Sequence, residues 1–429
     1  MRCLMWLLNQ TPALLTDLYE LTMSQVYFKK AMFDKAYFEV TIRSLPKNWG
    51  FFVMAGLCEV ASYLREFHFS QQDIEYLKST GSFEDDFLNF LKELKLDVKI
   101  RCLPEGTIFF PKEPVFEISG PIIHVQILES YILNILGFSI IETTLATRVM
   151  HAAEGKPVVD FGLRRAQGPV AALRAARAAQ IAGFAGTSNL QAANLLNFAT
   201  SGTMAHSYIE AHESEETAFE HFIEQYNEQA VLLVNTYDPK KGITKAASAA
   251  QKALNEKGIK AKGIRIDSGD FVELSKFARN YFKEANLNFL KIFVSSGLDE
   301  YRMSQLIKKG AEIDGFGVGT RFSVSHNAPD VDIAYKIIEY AGKAVYKSSP
   351  NKYTFPGRKT ILREKNEFYI IKDTVRSYIA NTNDLLQPFD SPEPIETIKK
   401  RLSENLNSLP QLVKAIRKPN IFNVDIHLF

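Results

Sequence analysis

Residues 263–270 read Gly-Ile-Arg-Ile-Asp-Ser-Gly-Asp, a short apolar strand that ends in a polar loop. Helix-like sequence follows from Phe271 to Glu284. The same order of strand, polar loop and helix recurs on both sides, roughly every 25 to 30 residues. Strands that alternate with helices in this way are typical of a parallel sheet. The sequence therefore predicts an α/β architecture.

The neighbouring strands are apolar nearly throughout, as strands buried on both faces should be. They are predicted at 156–162, 231–234, 291–294 and 314–318. The chain contains more consecutive strand–helix units than one mononucleotide-binding half of a doubly wound sheet needs. We therefore favour an irregular α/β barrel over a doubly wound sheet.

Polar residues collect where these strands end. In α/β barrels the loops after the strands converge on one mouth and form the active site. The side chains predicted to meet there are Asp160, Arg164, Arg165, Thr203, His206, Asp238, Arg265, Asp267, Ser295, Ser296, Gly297, Gly319 and Thr320.

The two ends of the chain do not show this regular alternation of strands and helices. We predict an N-terminal α+β domain over 1–125, the barrel over 126–330, and strands and a helix over 331–429 that return to the α+β domain. The first helix begins near Thr16 or Asp17 and carries Tyr19, which is either a core tyrosine or a functional one. The basic turn 352–359 is either a solvated hairpin or part of a site.

Composition excludes several classes of protein. The 429 residues have a net charge of +2 and contain no basic arm, so nucleic acid is not an expected partner. The cysteines, Cys3, Cys58 and Cys102, lack metal-binding or disulfide spacing, which indicates a reducing compartment. No signal peptide and no apolar run long enough to cross a membrane is expected. A cytoplasmic protein is the expectation.

Gly202-Thr203-Met204-Ala205-His206-Ser207 is the stretch to which we assign the chemistry. Small residues allow close approach of a ligand, and an imidazole can transfer a proton or accept a phosphoryl group. The alternative is a plain helix start, with Thr203 or Ser207 as the N-cap.

The loops after the late strands suit a phosphate monoester, since backbone N–H groups can point at its oxygens. Arg164, Arg165 and Arg265 add guanidinium groups that match carboxylates and phosphates. Asp267 and Asp270 could hold ribose hydroxyls or Mg²⁺. No protein-bound transition metal is expected, because Glu210 and His212 do not form a zinc motif with His206.

Several of these segments resemble, in the same order, motifs of the nicotinate phosphoribosyltransferase family. The similarity covers about residues 11 to 363, with His124 as a departure where an acidic residue is more usual. The matching segments are Thr16–Tyr19, Asp160–Gly168, Gly186–Asn189, Gly202–Ser207, Arg265–Asp270, Gly317–Thr320 and Thr354–Lys359.

The resemblance implies an irregular α/β barrel joined to an α+β domain, in a homodimer whose active sites are shared between subunits. It implies the reaction of nicotinate with phosphoribosyl pyrophosphate to nicotinate mononucleotide and pyrophosphate, in NAD biosynthesis and salvage. ATP is implied as co-substrate, Mg²⁺ as cofactor, and a phosphohistidine at His206.

The resemblance also assigns residues. Arg265 with Thr203 would hold the nicotinate carboxylate, and Tyr19, from the other subunit, would stack on the pyridine ring. The ribose phosphate would be held by Ser296, Gly297, Gly319 and Thr320. From its place at a strand end alone, Asp238 is the residue we expect to orient His206.

Three other functions stay open at this point. A related enzyme would use nicotinamide as its substrate, although Arg265 favours nicotinate because nicotinate carries a carboxylate. An α/β-barrel lyase or isomerase acting on sugar phosphates would need a Schiff-base lysine or a metal-held enolate at a strand end, and no lysine is so placed. An inactive homologue is the third alternative, and the presence of His206, Arg265 and Asp267 argues against it.

Overall fold

The structure is a computed structural model that describes residues 12–347 and 355–427. The chain forms two compact units, one of residues 1–144 with 328–429 and one of 145–327. The second unit begins within a long helix, later than the predicted domain border at residue 126. Of the predicted basic turn, residues 352–354 lie outside the described residues, as does Cys3.

The first unit begins with helices and antiparallel strands. Its elements up to the long helix are α1 (Leu18–Lys29), β1 (Lys35–Ile42), β2 (Phe52–Val53), α2 (Leu57–Glu66), α3 (Gln71–Ser79), α4 (Asp85–Glu93), β3 (Lys99–Cys102), β4 (Ile108–Phe109), β5 (Pro114–Pro121) and α5 (Ile122–Gln126). Strand β5 is buried along nearly its whole length between β1 and β3. This strand is therefore the centre of the first unit's core.

Helix α6 (Glu129–Ala152) follows α5 almost without a break. By length and composition, Ile122–Ala152 is apolar enough to cross a bilayer, and it is the one such stretch in the described part of the chain. The expectation that no stretch passes this test is therefore wrong. However, 67% of its apolar window is buried inside the protein, which is the situation of a core helix.

The second unit alternates strands and helices. Its elements are β6 (Val158–Asp160), α7 (Pro169–Ala182), β7 (Gly186–Thr187), α8 (Leu190–Leu196), α9 (His206–Glu210), α10 (Glu215–Tyr226), β8 (Val231–Leu233), α11 (Pro239–Lys257), β9 (Gly263–Ile266), α12 (Phe271–Glu284), β10 (Lys291–Ser295), α13 (Glu300–Lys308), β11 (Gly315–Val318) and α14 (Thr320–Ser323).

The strand order distinguishes a barrel from a doubly wound sheet. The six strands pair in the order β7-β6-β11-β10-β9-β8, and every pair is parallel. The first strand, β6, pairs with the last, β11, so the order is that of a ring opened between β7 and β8. A doubly wound sheet would instead reverse direction at a central strand. The predicted irregular α/β barrel is confirmed.

After residue 327 the chain returns to the first unit. The remaining elements are β12 (Ile333–Tyr340), β13 (Lys343–Ala344), β14 (Lys359–Lys365), β15 (Ile370–Ser377), β16 (Gln387–Pro388), α15 (Ile395–Ser408), α16 (Gln411–Lys414) and β17 (Val424–His427). Strand β12 pairs antiparallel with β1 over seven residue pairs. The first unit is thus built from both ends of the chain, as predicted for the α+β part of the fold.

Candidate active site

The carboxyl ends of parallel strands lie at one edge of a sheet, so the loops after them are neighbours. In the second unit this edge brings together residues that are far apart in sequence. Thr203 contacts Arg265, which follows it by 62 positions, and His206 contacts Asp267. The predicted convergence of these four residues is therefore observed.

Arg265, on β9, is held by four acceptors. Its Nε donates to Thr203 Oγ1 at 2.9 Å, and one Nη2 N–H donates to the Met204 carbonyl at 2.8 Å. The other terminal nitrogen, Nη1, donates to Asp267 Oδ2 and to Ser295 Oγ, each at 3.0 Å. A guanidinium has five N–H groups, so these contacts use four of them and leave one on Nη2. The side chain is thus fixed in place, with little freedom to swing.

Burial gives this cation an unusual environment. The Arg265 side chain is only 13% exposed. Removal from water lowers the pKa of Arg265, and the nearby Asp267 carboxylate opposes that shift. A buried cation with a spare N–H group favours a ligand that brings negative charge. Arg265 is therefore well suited to recognise a carboxylate.

A cavity of about 710 Å³ adjoins this residue within the second unit. Arg265, Thr203 and Phe161 line it, together with Gly202 and aromatic side chains such as Phe293. A volume of this size is typical of sites for small molecules, which are mostly apolar with a few polar groups. The cavity combines an apolar wall with two cations, Arg265 and Lys262, and with the hydroxyls of Thr200, Ser201, Thr203 and Tyr226.

Phe161, the residue after β6, reaches the cavity because β11 has no side chain at the facing position. A Cβ placed on Gly317 would lie 2.4 Å and 2.6 Å from two carbons of the Phe161 ring. Such contacts do not occur between real atoms, so only glycine permits this ring position. The Phe161 ring thereby presents a flat apolar surface in the same cavity as Arg265.

His206 is the first residue of α9, and both of its ring nitrogens have partners. Its Nδ1 lies 3.0 Å from Thr236 Oγ1, and its Nε2 lies 3.3 Å from Asp267 Oδ1. The side chain is 42% exposed, so a reagent can reach it. The alternative, in which the Thr203 or Ser207 hydroxyl caps the helix, is not observed, because Ala205 occupies the N-cap position of α9. The Thr203 hydroxyl instead accepts a bond from Arg265.

Asp238 does not orient His206, and that assignment is corrected. The Asp238 carboxylate accepts the Lys241 N–H at 2.9 Å and forms the N-cap of α11, directly before Pro239. An Asp followed by Pro at the first helical position is a preferred helix start. The carboxylate beside His206 belongs to Asp267, from the next strand of the sheet.

The proposed phosphate loops follow β10 and β11. Ser296 and Gly297 both have positive φ angles, 79° and 61°. A non-glycine residue in this region is uncommon and is often found at binding sites. Gly319 precedes α14, and Thr320 is exposed at its start. Asp299 connects the two loops, because it caps α13 and its Oδ2 accepts from Arg321 at 2.5 Å.

Arg164 and Arg165 lie in a short 3-10 helix after β6 and are both exposed. The turn before them is fixed by Asp160, whose carboxylate accepts the Gly162 N–H and the Thr187 hydroxyl, each at 2.7 Å. Burial raises the pKa of Asp160, and these two hydrogen bonds oppose the shift. The structure therefore gives Asp160 a role in shaping the loop.

The fit of Mg²⁺ depends on the carboxylates near the cavity. No three His, Cys, Asp or Glu side chains cluster for a metal anywhere in 12–347 or 355–427. Asp270 caps α12, and Asp267 is engaged by Arg265, Asn235 and His206. Mg²⁺ commonly binds through one or two carboxylates together with substrate phosphates and water. The residues present fit an ion that arrives with a phosphate ligand.

Tyr19 lies on α1 in the first unit and is 46% exposed. Burial, followed by the charges of Glu129 and Glu20, raises the pKa of Tyr19. The Glu129 carboxylate lies near its hydroxyl, and the ring is partly free. An exposed aromatic ring of this kind can serve as a contact surface.

The sequence did not single out three residues of the site. Phe161 belongs to the segment Asp160–Gly168, but it was not assigned a role. Its position directly after a buried strand could have indicated that it lines the site. Thr236, which contacts His206, follows strand β8 and lies two positions before Asp238, the residue that the sequence had suggested instead. Asn235 holds Asp267 through a contact across 32 residues. Ser295 was among the residues predicted to meet at this edge, but its bond to Arg265, across 30 residues, was not foreseen.

The chain is similar in sequence to known proteins over most of its length. The sequence model of the nicotinate phosphoribosyltransferase family matches residues 157–375, more than half of the chain, and that of the family's N-terminal domain matches 14–137. Nicotinate phosphoribosyltransferase pncB2 of Mycobacterium tuberculosis is 42% identical over 86% of this chain and 79% of that protein.

Two more relatives extend the likeness. Nicotinate phosphoribosyltransferase of Bacillus subtilis is 32% identical over 96% of this chain and 92% of that protein. The crystal structure of human nicotinic acid phosphoribosyltransferase superposes with a TM-score of 0.81, at 24% identity, over 96% of this chain and 97% of that chain. At this identity the human structure supports the fold alone. From the match of both domain models and the identity to these relatives, the chain belongs to the nicotinate phosphoribosyltransferase family.

Proposed function

We propose that the protein transfers the phosphoribosyl group of phosphoribosyl pyrophosphate to nicotinate, giving nicotinate mononucleotide and pyrophosphate. Family membership supports this reaction. The observation that carries it is Arg265 in the wall of a cavity lined partly by aromatic rings, with Thr203 beside it and one N–H that no described residue accepts. A flat pyridine ring fits between aromatic walls, and its carboxylate fits a buried guanidinium.

The pyridine nitrogen forms the new bond to C1 of the ribose, and the bond from C1 to the pyrophosphate oxygen breaks. The electron pair leaves with pyrophosphate, so no proton or covalent sugar intermediate is required. Mg²⁺, bound to the phosphates, would neutralise charge on the leaving group. Ser296, Gly297, Gly319 and Thr320 would hold the ribose 5-phosphate, with Arg164 and Arg165 as additional cations near the rim.

The carboxylate on the ring distinguishes nicotinate from nicotinamide. Nicotinamide has no charge to offer Arg265, so its binding would leave a buried cation without an anionic ligand. Assay of both pyridines with the same donor tests this directly. We expect nicotinate to have the higher kcat/KM by at least about tenfold, which is 1.4 kcal/mol. Equal rates would favour the sister activity on nicotinamide.

ATP is proposed to phosphorylate His206. An ionised carboxylate can only accept hydrogen bonds, so Asp267 implies that Nε2 carries the proton. The lone pair of the neutral ring is then on Nδ1, where the Thr236 hydroxyl can donate to it. Attack of Nδ1 on the γ-phosphorus forms an N–P bond, and the bond between that phosphorus and the bridging oxygen breaks to release ADP.

Tyr19 is proposed to stack on the pyridine ring in the active site of the other subunit of a homodimer. Its partly exposed ring supports such a role. The product would enter NAD biosynthesis and salvage. Sedimentation of wild-type protein and of Tyr19→Ala, with nicotinate KM for both, tests this part separately.

The His206→Ala variant tests the coupling to ATP. We expect it to lose radioactive labelling by γ-labelled ATP and to lose ATP stimulation, while slow ATP-independent formation of nicotinate mononucleotide remains. Ser207→Ala, next to it on α9, is the matched control and should keep both properties. Full ATP stimulation in His206→Ala would rule out the phosphohistidine.

A further inference from the structure

The two loops proposed to hold a phosphate are joined by an ion pair. Strands β10 and β11 are parallel neighbours, with Ser295 paired to Gly317, so the loops after them are adjacent. Asp299 follows β10 at the start of α13, and Arg321 follows β11 in α14. Because Arg321 Nη1 donates to Asp299 Oδ2 at 2.5 Å, one contact ties the two loops together.

Asp299 brings a negative charge to these loops. Its side chain is 5% exposed, its Oδ1 accepts the Arg302 N–H at 2.8 Å, and Asn327 donates to its Oδ2 at 3.4 Å. Burial alone would raise the pKa of Asp299, but these bonds and the one from Arg321 lower it below its usual value. A phosphate monoester carries about −1.5 to −2 charges at pH 7 and is repelled by a carboxylate nearby. A phosphate site at these loops therefore requires a cation beside Asp299.

Arg321 supplies that cation and has donors to spare. Its side chain is 42% exposed, and within residues 12–347 and 355–427 its one hydrogen-bond acceptor is Asp299. A guanidinium has five N–H groups, so four of them are left for a ligand. The edge formed by Nε and Nη2 matches two oxygens of a phosphate. Arg321 can therefore bind a phosphate without releasing Asp299.

We propose that Arg321 binds the 5-phosphate of the phosphoribosyl donor, and that Asp299 is a positioning residue that holds Nη1 of Arg321 at the phosphate loops. The inference rests on the proposed function and adds a cation within a phosphate site that is otherwise assigned to hydroxyls and backbone N–H groups. The 5-phosphate takes no part in the bond that forms or in the bond that breaks. Arg321 therefore contributes to affinity for the donor.

The test measures two dissociation constants by isothermal titration calorimetry. Ribose 5-phosphate carries this phosphate alone, and pyrophosphate with Mg²⁺ lacks it. In Arg321→Gln we expect the dissociation constant of ribose 5-phosphate to rise by at least about tenfold, because a hydrogen bond between charged groups is lost. That of pyrophosphate should not change. An equal rise for both ligands, or no rise for ribose 5-phosphate, would overturn the proposal.

The double variant Asp299→Asn/Arg321→Gln separates direct binding from neutralisation of charge. Asparagine removes the negative charge and keeps a capping group for α13, so no buried charge is left unpaired and the variant serves even where Arg321→Gln alone is unstable. Ribose 5-phosphate should still bind at least about fivefold more weakly than in the wild type. Wild-type affinity in the double variant would show that Arg321 only neutralises Asp299, and the proposal would fail.

Arg279→Gln is the matched control. Arg279 donates to Asp314, which directly precedes β11, so this ion pair lies at the opposite edge of the same sheet. Both dissociation constants should stay at their wild-type values. Weakening of ribose 5-phosphate binding as large as in Arg321→Gln would count against the proposal. Wild-type protein that binds ribose 5-phosphate through Arg321 but forms no nicotinate mononucleotide would instead refute the proposed function and support the role of Arg321.

Discussion

Lys359 in the first unit and Arg265 in the second are both basic residues from motifs that resemble the family, but the structure uses them differently. Lys359 is 2% exposed, and its three N–H groups donate to Glu39, Phe355 and Gly357 at 2.7–2.9 Å. Arg265 is 13% exposed, adjoins a cavity and keeps one N–H without an acceptor among the described residues.

The difference shows how a structural cation differs from a binding cation. A lysine has three donors, so Lys359 has none left for a ligand. Burial raises the pKa of Glu39, and the Lys359 charge opposes that shift, so each group depends on the other. At Lys359, the last residue of the basic turn, the structure therefore supports neither a solvated side chain nor a ligand site, while residues 352–354 lie outside the described residues.

The largest expected effect is on stability, in Lys359→Met. Loss of one member of a buried ion pair leaves the other uncompensated and typically costs 3–5 kcal/mol, so we expect a clear fall in Tm. The double variant Glu39→Leu/Lys359→Met should recover most of the loss. A Lys359→Met protein with normal Tm and impaired turnover would give Lys359 a functional role and end the contrast with Arg265.

Arg265→Ala should affect binding. Removal of a buried carboxylate's partner costs about 2–5 kcal/mol, so the KM for nicotinate should rise steeply while that for the phosphoribosyl donor changes little. Steady-state kinetics with each substrate varied separate the two constants, and Arg65→Ala, exposed in the last turn of helix α2, serves as a control. An equal rise for both substrates would mean that Arg265 binds something other than nicotinate.

Gly317→Ala tests the position of the Phe161 ring. The added methyl group would overlap the ring, and overpacking of this kind costs about 1–3 kcal/mol. We expect a lower Tm and a higher KM for nicotinate. Gly202→Ala, where a Cβ would have no neighbour within 4 Å, should keep its Tm. An unchanged KM in Gly317→Ala would remove Phe161 from the binding surface.

The smallest effect is expected at Asp238. Asp238→Ala removes the N-cap of α11 and should cost about 1 kcal/mol of stability, whereas Asp238→Asn keeps a capping group and should cost less. Neither should change labelling of His206, since Thr236 and Asp267 hold that ring. Slower labelling in Asp238→Asn would restore the original assignment.

The sequence predicted which residues lie together where a single residue type at a strand end was informative. Arg265, His206 and Thr203 were chosen in this way, and the structure brings them to one edge. The error at Asp238 has a local cause, because the residue before Pro239 is at a helix start and its carboxylate is used there. His206 and Asp267 are far apart in the sequence, and their separation gives no indication that they are in contact.

What the sequence alone determined was the order of elements and the family. Apolar strands that alternate with helices imply parallel pairing, because two neighbouring parallel strands can be joined only by a long crossover connection, usually a helix. Only the tertiary structure decided which carboxylate faces His206, that Gly317 makes room for Phe161, and that Asp267 is shared. These facts depend on side chains from different strands, and strand pairing, not spacing along the chain, sets the distances between them.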